Sequence, residues 1–253
     1  MMGKQGILGK MASCVLHPQH VVLCDPSDEQ LKNFVCELPN LFRTGQGRVL
    51  YKHRNELRIF QLGDRQMVVK SFGVPNVTNR LAYGLLRKSK AQRSYEYARL
   101  LNSLGIGSPE PVAWLTIRNG LLFTHSYYVS LLSTCPYTYT DLQTCKISPR
   151  SEEERYLRLV ARAVARLHDN GMIHRDLSQG NVLFGDGDRV EFIDLNRIRF
   201  RDVGLVEGCK NLSERLLANR WQRAVLAEEY AKARGFDAEE CLRLVNQYNV
   251  IKD

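Results

Sequence analysis

The sequence has no apolar run suited to crossing a bilayer. Its longest stretch without Lys, Arg, Asp or Glu, Asn119 to Thr140, is broken by His125 and by many Ser and Thr, so no transmembrane helix is expected. Lys4 and Lys10 are followed by no continuous apolar core before Asp25 and Asp28, so export is not expected either. There is no C-x-x-C pair. The seven cysteines (Cys14, Cys24, Cys36, Cys135, Cys145, Cys209 and Cys241) are odd in number and scattered, which argues against a disulfide framework or zinc site and for small buried apolar groups in a reducing cytoplasm. Internal repeats and low-complexity tracts are absent. Acid is in short supply, with 27 Asp and Glu against 36 Lys and Arg, and the net charge of +9 points to anionic partners such as nucleotides, nucleic acid or acidic lipid surfaces without choosing among them. No aromatic stacking motif interleaves the basic residues, so nucleic acid is not an expected partner.

What is present can bury a substantial core, since 253 residues need no disulfide staples. Residues 1–46 mix short apolar runs with Pro18, Pro26 and Pro39 and read as an N-terminal extension, with one helix over Asp28 to Cys36 before a Leu38-Pro39-Asn40 turn. From Gly47 the pattern becomes β-like: Arg48 to Tyr51, Leu57 to Leu62 and Arg65 to Phe72, with a turn at Leu62-Gly63-Asp64. Ala91, Tyr95, Ala98, Leu101 and Leu104 have helical spacing, predicting a helix over Ser89 to Leu104 stopped by Gly105. Val112 to Ile117 and Leu121 to His125 flank Arg118-Asn119-Gly120, a hairpin signal that brings the sheet to about five strands.

The second half is helix-rich. Ser151 to Glu154 reads as a capping box, and Tyr156, Leu159, Val160, Ala163, Val164 and Leu167 form the apolar stripe of a core helix ending at Asn170-Gly171. Val182 to Phe184 and Val190 to Ile193 are joined by Gly185-Asp186-Gly187-Asp188, a second hairpin. The last forty or so residues read as helical. A β-rich half before a helix-rich half predicts an α+β protein of two lobes, with the cleft between them as the default site.

The chemistry concentrates between His174 and Asp194. His174-Arg175-Asp176-Leu177-Ser178-Gln179-Gly180-Asn181 matches the catalytic-loop pattern H-R-D-L-x-x-x-N, followed by the strand Val182-Leu183-Phe184. Phosphoryl transfer needs a carboxylate to orient a hydroxyl and take its proton, and oxygen ligands for magnesium. Asp176 suits the first role; Asn181 and Asp194, at the end of the next strand, suit the second. Lys70, in Met67-Val68-Val69-Lys70, sits in a setting like V-A-I-K and is assigned to the α- and β-phosphates of ATP. Such a lysine is held by a helix glutamate, and Glu96 is the only acidic residue between Ser71 and Pro109. His174 reads as structural, and Arg175 as a structural or substrate-acid contact.

From Gly47 to Arg201 the chain resembles the protein-kinase-like superfamily, and within it the lipopolysaccharide kinases that act on Kdo or heptose of the inner core. Ile193-Asp194-Leu195-Asn196-Arg197 looks like that family's I-D-x-x-R, Tyr51-Lys52-His53-Arg54-Asn55-Glu56 resembles its first strand turn, and no A-P-E follows. The resemblance implies a two-lobed protein-kinase-like fold: residues 47–130 as a small antiparallel-sheet lobe with one helix, and 131–253 as a mainly helical lobe. It implies ATP and Mg2+ as cofactors and a lipid-linked core sugar as acceptor. It also implies a cytoplasmic location, with a peripheral contact at the anionic inner face of the inner membrane. Two departures stand out. There is no G-x-G-x-x-G before Lys70, which leaves phosphate cover to Lys52, Arg54 and Asn55, and Leu195-Asn196 replaces Phe-Gly, implying a less mobile metal loop. Arg197, Arg199 and Arg201 alternate and read either as contacts for an acidic sugar or phosphorylated lipid or, equally, as a solvated face. Arg80, Arg87, Lys88, Lys90 and Arg93 read equally as lipid-headgroup contacts or solubilising charge. The rival readings are a RIO-like protein kinase, a small-molecule kinase and a nucleotide-binding pseudokinase.

Overall fold

The computed structural model describes residues 13–16, 19–73, 88–119, 122–144, 146–185, 187–216 and 218–249. The chain divides into two compact units: residues up to Arg99 with Glu110–Leu132, and Leu100–Pro109 with Ser133–Asp253. Arg80, Arg87, Gly120, Leu121, Cys145 and Asp186, which entered the expectations above, lie outside the described residues.

The first unit is one antiparallel sheet with a helix on each face. Its elements are β1 (Ser13–Leu16), β2 (Gln19–Leu23), α1 (Glu29–Arg43), β3 (Arg48–Lys52), β4 (Asn55–Leu62), β5 (Arg65–Phe72), α2 (Lys90–Ser103), β6 (Pro111–Asn119) and β7 (Leu122–Leu131). The strand order is β1-β2-β6-β7-β5-β4-β3. Seven strands replace the expected five because the stretch 1–46, expected as an extension, supplies β1 and β2; Gln19–Leu23 pairs with Ala113–Ile117. β7 runs well past the expected end at His125. It is flanked on both sides, by β6 and by β5, so its backbone is paired even where Ser126 and Ser130 interrupt the apolar pattern.

Alternation along the strands settles which helix covers which face. Ala113 and Leu115 pack with Leu31, Val35 and Leu38 of α1, whereas Trp114 packs with Ala91 and Tyr95 of α2. α1 does not stop at the expected Leu38-Pro39-Asn40 turn but runs through Pro39 to Arg43. An internal proline costs ~3 kcal/mol, and the continuing stripe works against that cost: Leu41 and Phe42, beyond the proline, are partly buried on the same cluster as Leu38, each contributing a fraction of the roughly 1.5–3 kcal/mol of a fully buried side chain. Arg58, itself buried, then closes the helix end by donating to the carbonyls of Leu41, Phe42 and Gln46. Guanidinium suits the negative end of a helix.

The second unit contains β8 (Tyr137–Thr138), α3 (Tyr139–Gln143), α4 (Arg150–Asp169), β9 (Met172–His174), β10 (Val182–Gly185), β11 (Arg189–Phe192), β12 (Ile198–Phe200), α5 (Leu205–Ser213), α6 (Arg220–Arg234) and α7 (Ala238–Tyr248). α4 is the expected core helix. Its stripe is buried except for Ala163, which is half-buried, and it ends at Asn170 with Gly171 at φ +65°. The expected Ser151 capping box does not form. Pro149 precedes the first turn, and Glu152 and Glu154 are drawn instead to Arg155 and Arg158. The small strands pair as β11-β10-β8 and β12-β9, and these two ladders carry the motif residues.

Candidate active site

Four hydrogen bonds turn the stretch after β9 into a rigid loop. His174 is fully buried; its Nε2 lies 2.9 Å from the Ile193 carbonyl and its Nδ1 accepts from the Asp176 amide at 3.2 Å. The imidazole is therefore neutral, with its proton on Nε2. Burial pushes its pKa below the ordinary value, against the raising effect of the Ile193 carbonyl. The Asp176 carbonyl accepts from the Ser178 amide and from Asn181 Nδ2, both at 2.8 Å. The backbone of Asp176 is thus tied from both sides, and its carboxylate is left to point out of the loop.

The metal-ligand candidates meet through the adjoining hairpin. Val182 pairs with Phe192 across β10 and β11, and the Ile193 amide donates to the Asn181 carbonyl at 3.1 Å. Asn181 and Asp194 are consequently neighbours in space. Asp194 is left-handed, φ 57° and ψ 45°, a conformation rare outside glycine, and Asn196 Nδ2 donates to its Oδ1. Among the described residues no three His, Cys, Asp or Glu gather as a metal cluster. The donor set is instead one carboxylate and one amide oxygen, because Asn181 spends its Nδ2 on the loop. Hard oxygen donors in that number fit Mg2+, which keeps waters and substrate phosphate oxygens in its shell.

The other candidates lie in the first unit. Lys70 is on β5 between Leu57 and Tyr128. It shares strand parity with Phe72, on the α2 face, and its Nζ lies 5.3 Å from the Phe72 ring centre. Glu96 is on α2, and its carboxylate accepts from Lys88 at 2.7 Å and from Gln92 at 3.0 Å. Lys88, expected only as part of a basic approach, thus has a specific acidic partner. Lys52 and Arg54 are exposed on the β3–β4 turn, and Lys52 Nζ is 3.7 Å from Glu56. Asn55 Oδ1 accepts from the Gly73 amide at 3.5 Å, and a Cβ on Gly73 would lie 2.5 Å from the Arg54 carbonyl. This close approach requires glycine and ties the basic turn to the end of the Lys70 strand.

Arg197, singled out by the sequence, reaches Asp176 together with Arg215, which carried no local sequence signal. Arg215 Nη1 lies 3.0 Å from Asp176 Oδ1 and Arg197 Nη1 lies 3.4 Å from Oδ2. Arg199 and Arg201 do not join them: Arg199 is exposed and Arg201 pairs with Glu207. Asn211 on α5 donates to the His174 carbonyl at 3.1 Å and faces His168 Nε2 at 3.0 Å, while His168 Nδ1 meets the Tyr230 hydroxyl at 2.8 Å. Because Asn211 Oδ1 only accepts, His168 carries its proton on Nε2 and accepts a hydrogen bond from the Tyr230 hydroxyl at Nδ1.

That relay has a pH signature. Burial pushes the His168 pKa down from 6.5 to about 4. The unfolded chain therefore takes up a proton near pH 6.5 that the folded chain refuses until about pH 4, so stability falls as pH drops through that window. Between pH 7 and 5 this group alone accounts for a loss on the order of 2 kcal/mol. His168→Gln is expected to flatten this part of the pH dependence in urea midpoints; an unchanged slope would show that His168 is not its source.

Similarity to a known protein family spans Lys70, Glu96, Asp176, Asn181 and Asp194 and begins after Lys52, Arg54 and Asn55. The profile of the "Lipopolysaccharide kinase (Kdo/WaaP) family" matches residues 56–248. A 3-deoxy-D-manno-octulosonic acid kinase of Vibrio parahaemolyticus is 26% identical over 159 residues, 61% of this chain and 64% of that protein. Another, of Vibrio cholerae, is 32% identical over 108 residues, 42% of this chain and 44% of that protein. The matched part thus spans less than two thirds of either relative. The structure of WaaP in complex with acyl carrier protein superposes with a TM-score of 0.59 at 19% identity, covering 88% of this chain and 92% of that one. The fold is therefore protein-kinase-like. With the family profile matched across both units and the motif residues at their expected elements, the chain belongs to the lipopolysaccharide kinase (Kdo/WaaP) family.

Proposed function

We propose that this chain is an ATP-dependent kinase that transfers the γ-phosphate to a sugar hydroxyl of the lipopolysaccharide inner core, Kdo or heptose. The observation that carries the reading is the loop in which buried His174 and Asn181 fix the Asp176 backbone beside Asp194. Asp176 orients the acceptor hydroxyl and receives its proton as the new O–P bond forms. The bond from γ-phosphorus to the bridging oxygen breaks, and ADP leaves with the electron pair. Asn181 and Asp194 would hold Mg2+, which when bound offsets the charge of the phosphate oxygens. Lys70 is assigned to the α- and β-phosphates, with Lys52, Arg54 and Asn55 as phosphate cover. Glu96 is assigned as the partner of Lys70, a role in which it is shared with Lys88. Work on a lipid-linked acceptor implies the cytoplasmic face of the inner membrane. The described basic residues of the 80–93 stretch favour that contact weakly, because Lys88 pairs with Glu96 and Arg93 is half-buried.

The test is transfer of γ-labelled phosphate from ATP and Mg2+ to purified lipopolysaccharide core, with protein and small-molecule acceptors in parallel. Label on the core, reduced about 10²-fold or more by Lys70→Met, is the expected result. Label on proteins or small molecules alone would replace this reading with a rival kinase. Nucleotide binding without any labelled product would replace it with a pseudokinase.

A further inference from the structure

The two guanidiniums on Asp176 oppose the chemistry assigned to it. Arg215 sits on Oδ1 and Arg197 on Oδ2, so both carboxylate oxygens that an acceptor hydroxyl would have to reach are already engaged. Stability does not explain the pairs, because the arginine side chains are 58% and 52% exposed and exposed ion pairs contribute little. Yet the placement is built into the fold. The turn that carries Arg215 is pinned at the Leu216 carbonyl by Gln143 Nε2 at 2.7 Å and by Gln179 Nε2, from the catalytic loop itself, at 3.2 Å. Arg197 follows the buried Leu195 and Asn196, the latter bound to Asp194. Two cations on separately anchored segments converge on one carboxylate.

We propose that Arg197 and Arg215 form a clamp for a carboxylate on the acceptor sugar, and that they exchange Asp176 for that carboxylate when the acceptor binds. This rests on the kinase reading above and narrows its acceptor to an acidic sugar of the octulosonic acid type rather than a neutral heptose. Guanidinium binds carboxylate through paired, charge-assisted hydrogen bonds. An acidic acceptor therefore draws the arginines away and leaves Asp176 able to take the hydroxyl proton. A neutral acceptor offers no such exchange and meets a base still held by two cations. Phosphate groups on the lipid could supply a similar anion, so the test separates the two sources.

Phosphotransfer kinetics are compared on a Kdo-bearing core with free carboxylates, on the same core methyl-esterified, and on the core enzymatically dephosphorylated. The parent protein is expected to favour the free acid over the ester by about 100-fold in kcat/KM and to tolerate dephosphorylation. Arg197→Gln and Arg215→Gln are each expected to bring the acid-to-ester ratio toward one, chiefly through KM for the acid, and lysine at either position to restore part of it. A parent ratio near one overturns the clamp, as do variants that slow acid and ester equally. Loss of activity on dephosphorylation rather than on esterification overturns it in favour of phosphate recognition. These outcomes leave the kinase reading standing, whereas absence of transfer to every form of the core overturns both.

Discussion

Asp176→Asn is expected to lower kcat for phosphotransfer by about 10²–10⁴-fold, the range associated with a positioned acid or base, with little change in KM for ATP. The amide keeps the shape of the side chain but cannot take the hydroxyl proton. The loop should survive, because its internal bonds use the Asp176 backbone: the amide to His174, the carbonyl from Ser178 and Asn181. The measurement is single-turnover transfer alongside a thermal melt. A variant within about threefold of the parent in rate would remove Asp176 from the chemistry, and a large fall in melting temperature would mark it as structural instead.

Asp194 carries the second large effect, separable into backbone and side chain. Asp188 and Asp194 are the described non-glycine residues with positive φ. A left-handed residue costs roughly 1–2 kcal/mol unless it is glycine. Asp194→Gly should leave unfolding within about 1 kcal/mol of the parent, since relief of that cost offsets the lost contact with Asn196 and the added freedom of the unfolded chain. Asp194→Ala should be the less stable of the two by about 1 kcal/mol. Both should lose about 10²–10³-fold in activity, the scale set by removing one charge-stabilising group. Activity that followed stability, with glycine near the parent, would show that the backbone and not the carboxylate is what the reaction requires.

The elements were legible where local pattern suffices. β5 occupies the expected Arg65–Phe72, α2 lies within one residue of the expected helix at each end, and the β10–β11 hairpin places Asn181 and Asp194 at one end as its turn residues imply. The boundaries that moved did so through distant contacts. β1 and β2 acquired their place from backbone pairing with β6, and β7 was extended by partners on both edges. α1 crossed Pro39 because the residues beyond it pack on the same apolar cluster. Lys88 found its partner for a related reason: a lysine near a helix start is solvated or paired according to what the fold places opposite it, and Lys88 meets Glu96.

By itself, then, the sequence determined which residues are proposed for the chemistry and their order in the chain, because H-R-D-L-x-x-x-N and the aspartate that ends the next hairpin depend on short spacings that local geometry enforces. Only the tertiary structure decided the company those groups keep. Arg215 reaches Asp176 across 39 residues of chain, Asn211 supports His174 from another helix, and His168 is neutral because it is buried. Charge state and ion pairing depend on desolvation and on distances between groups far apart in the chain, and neither is written in a local pattern.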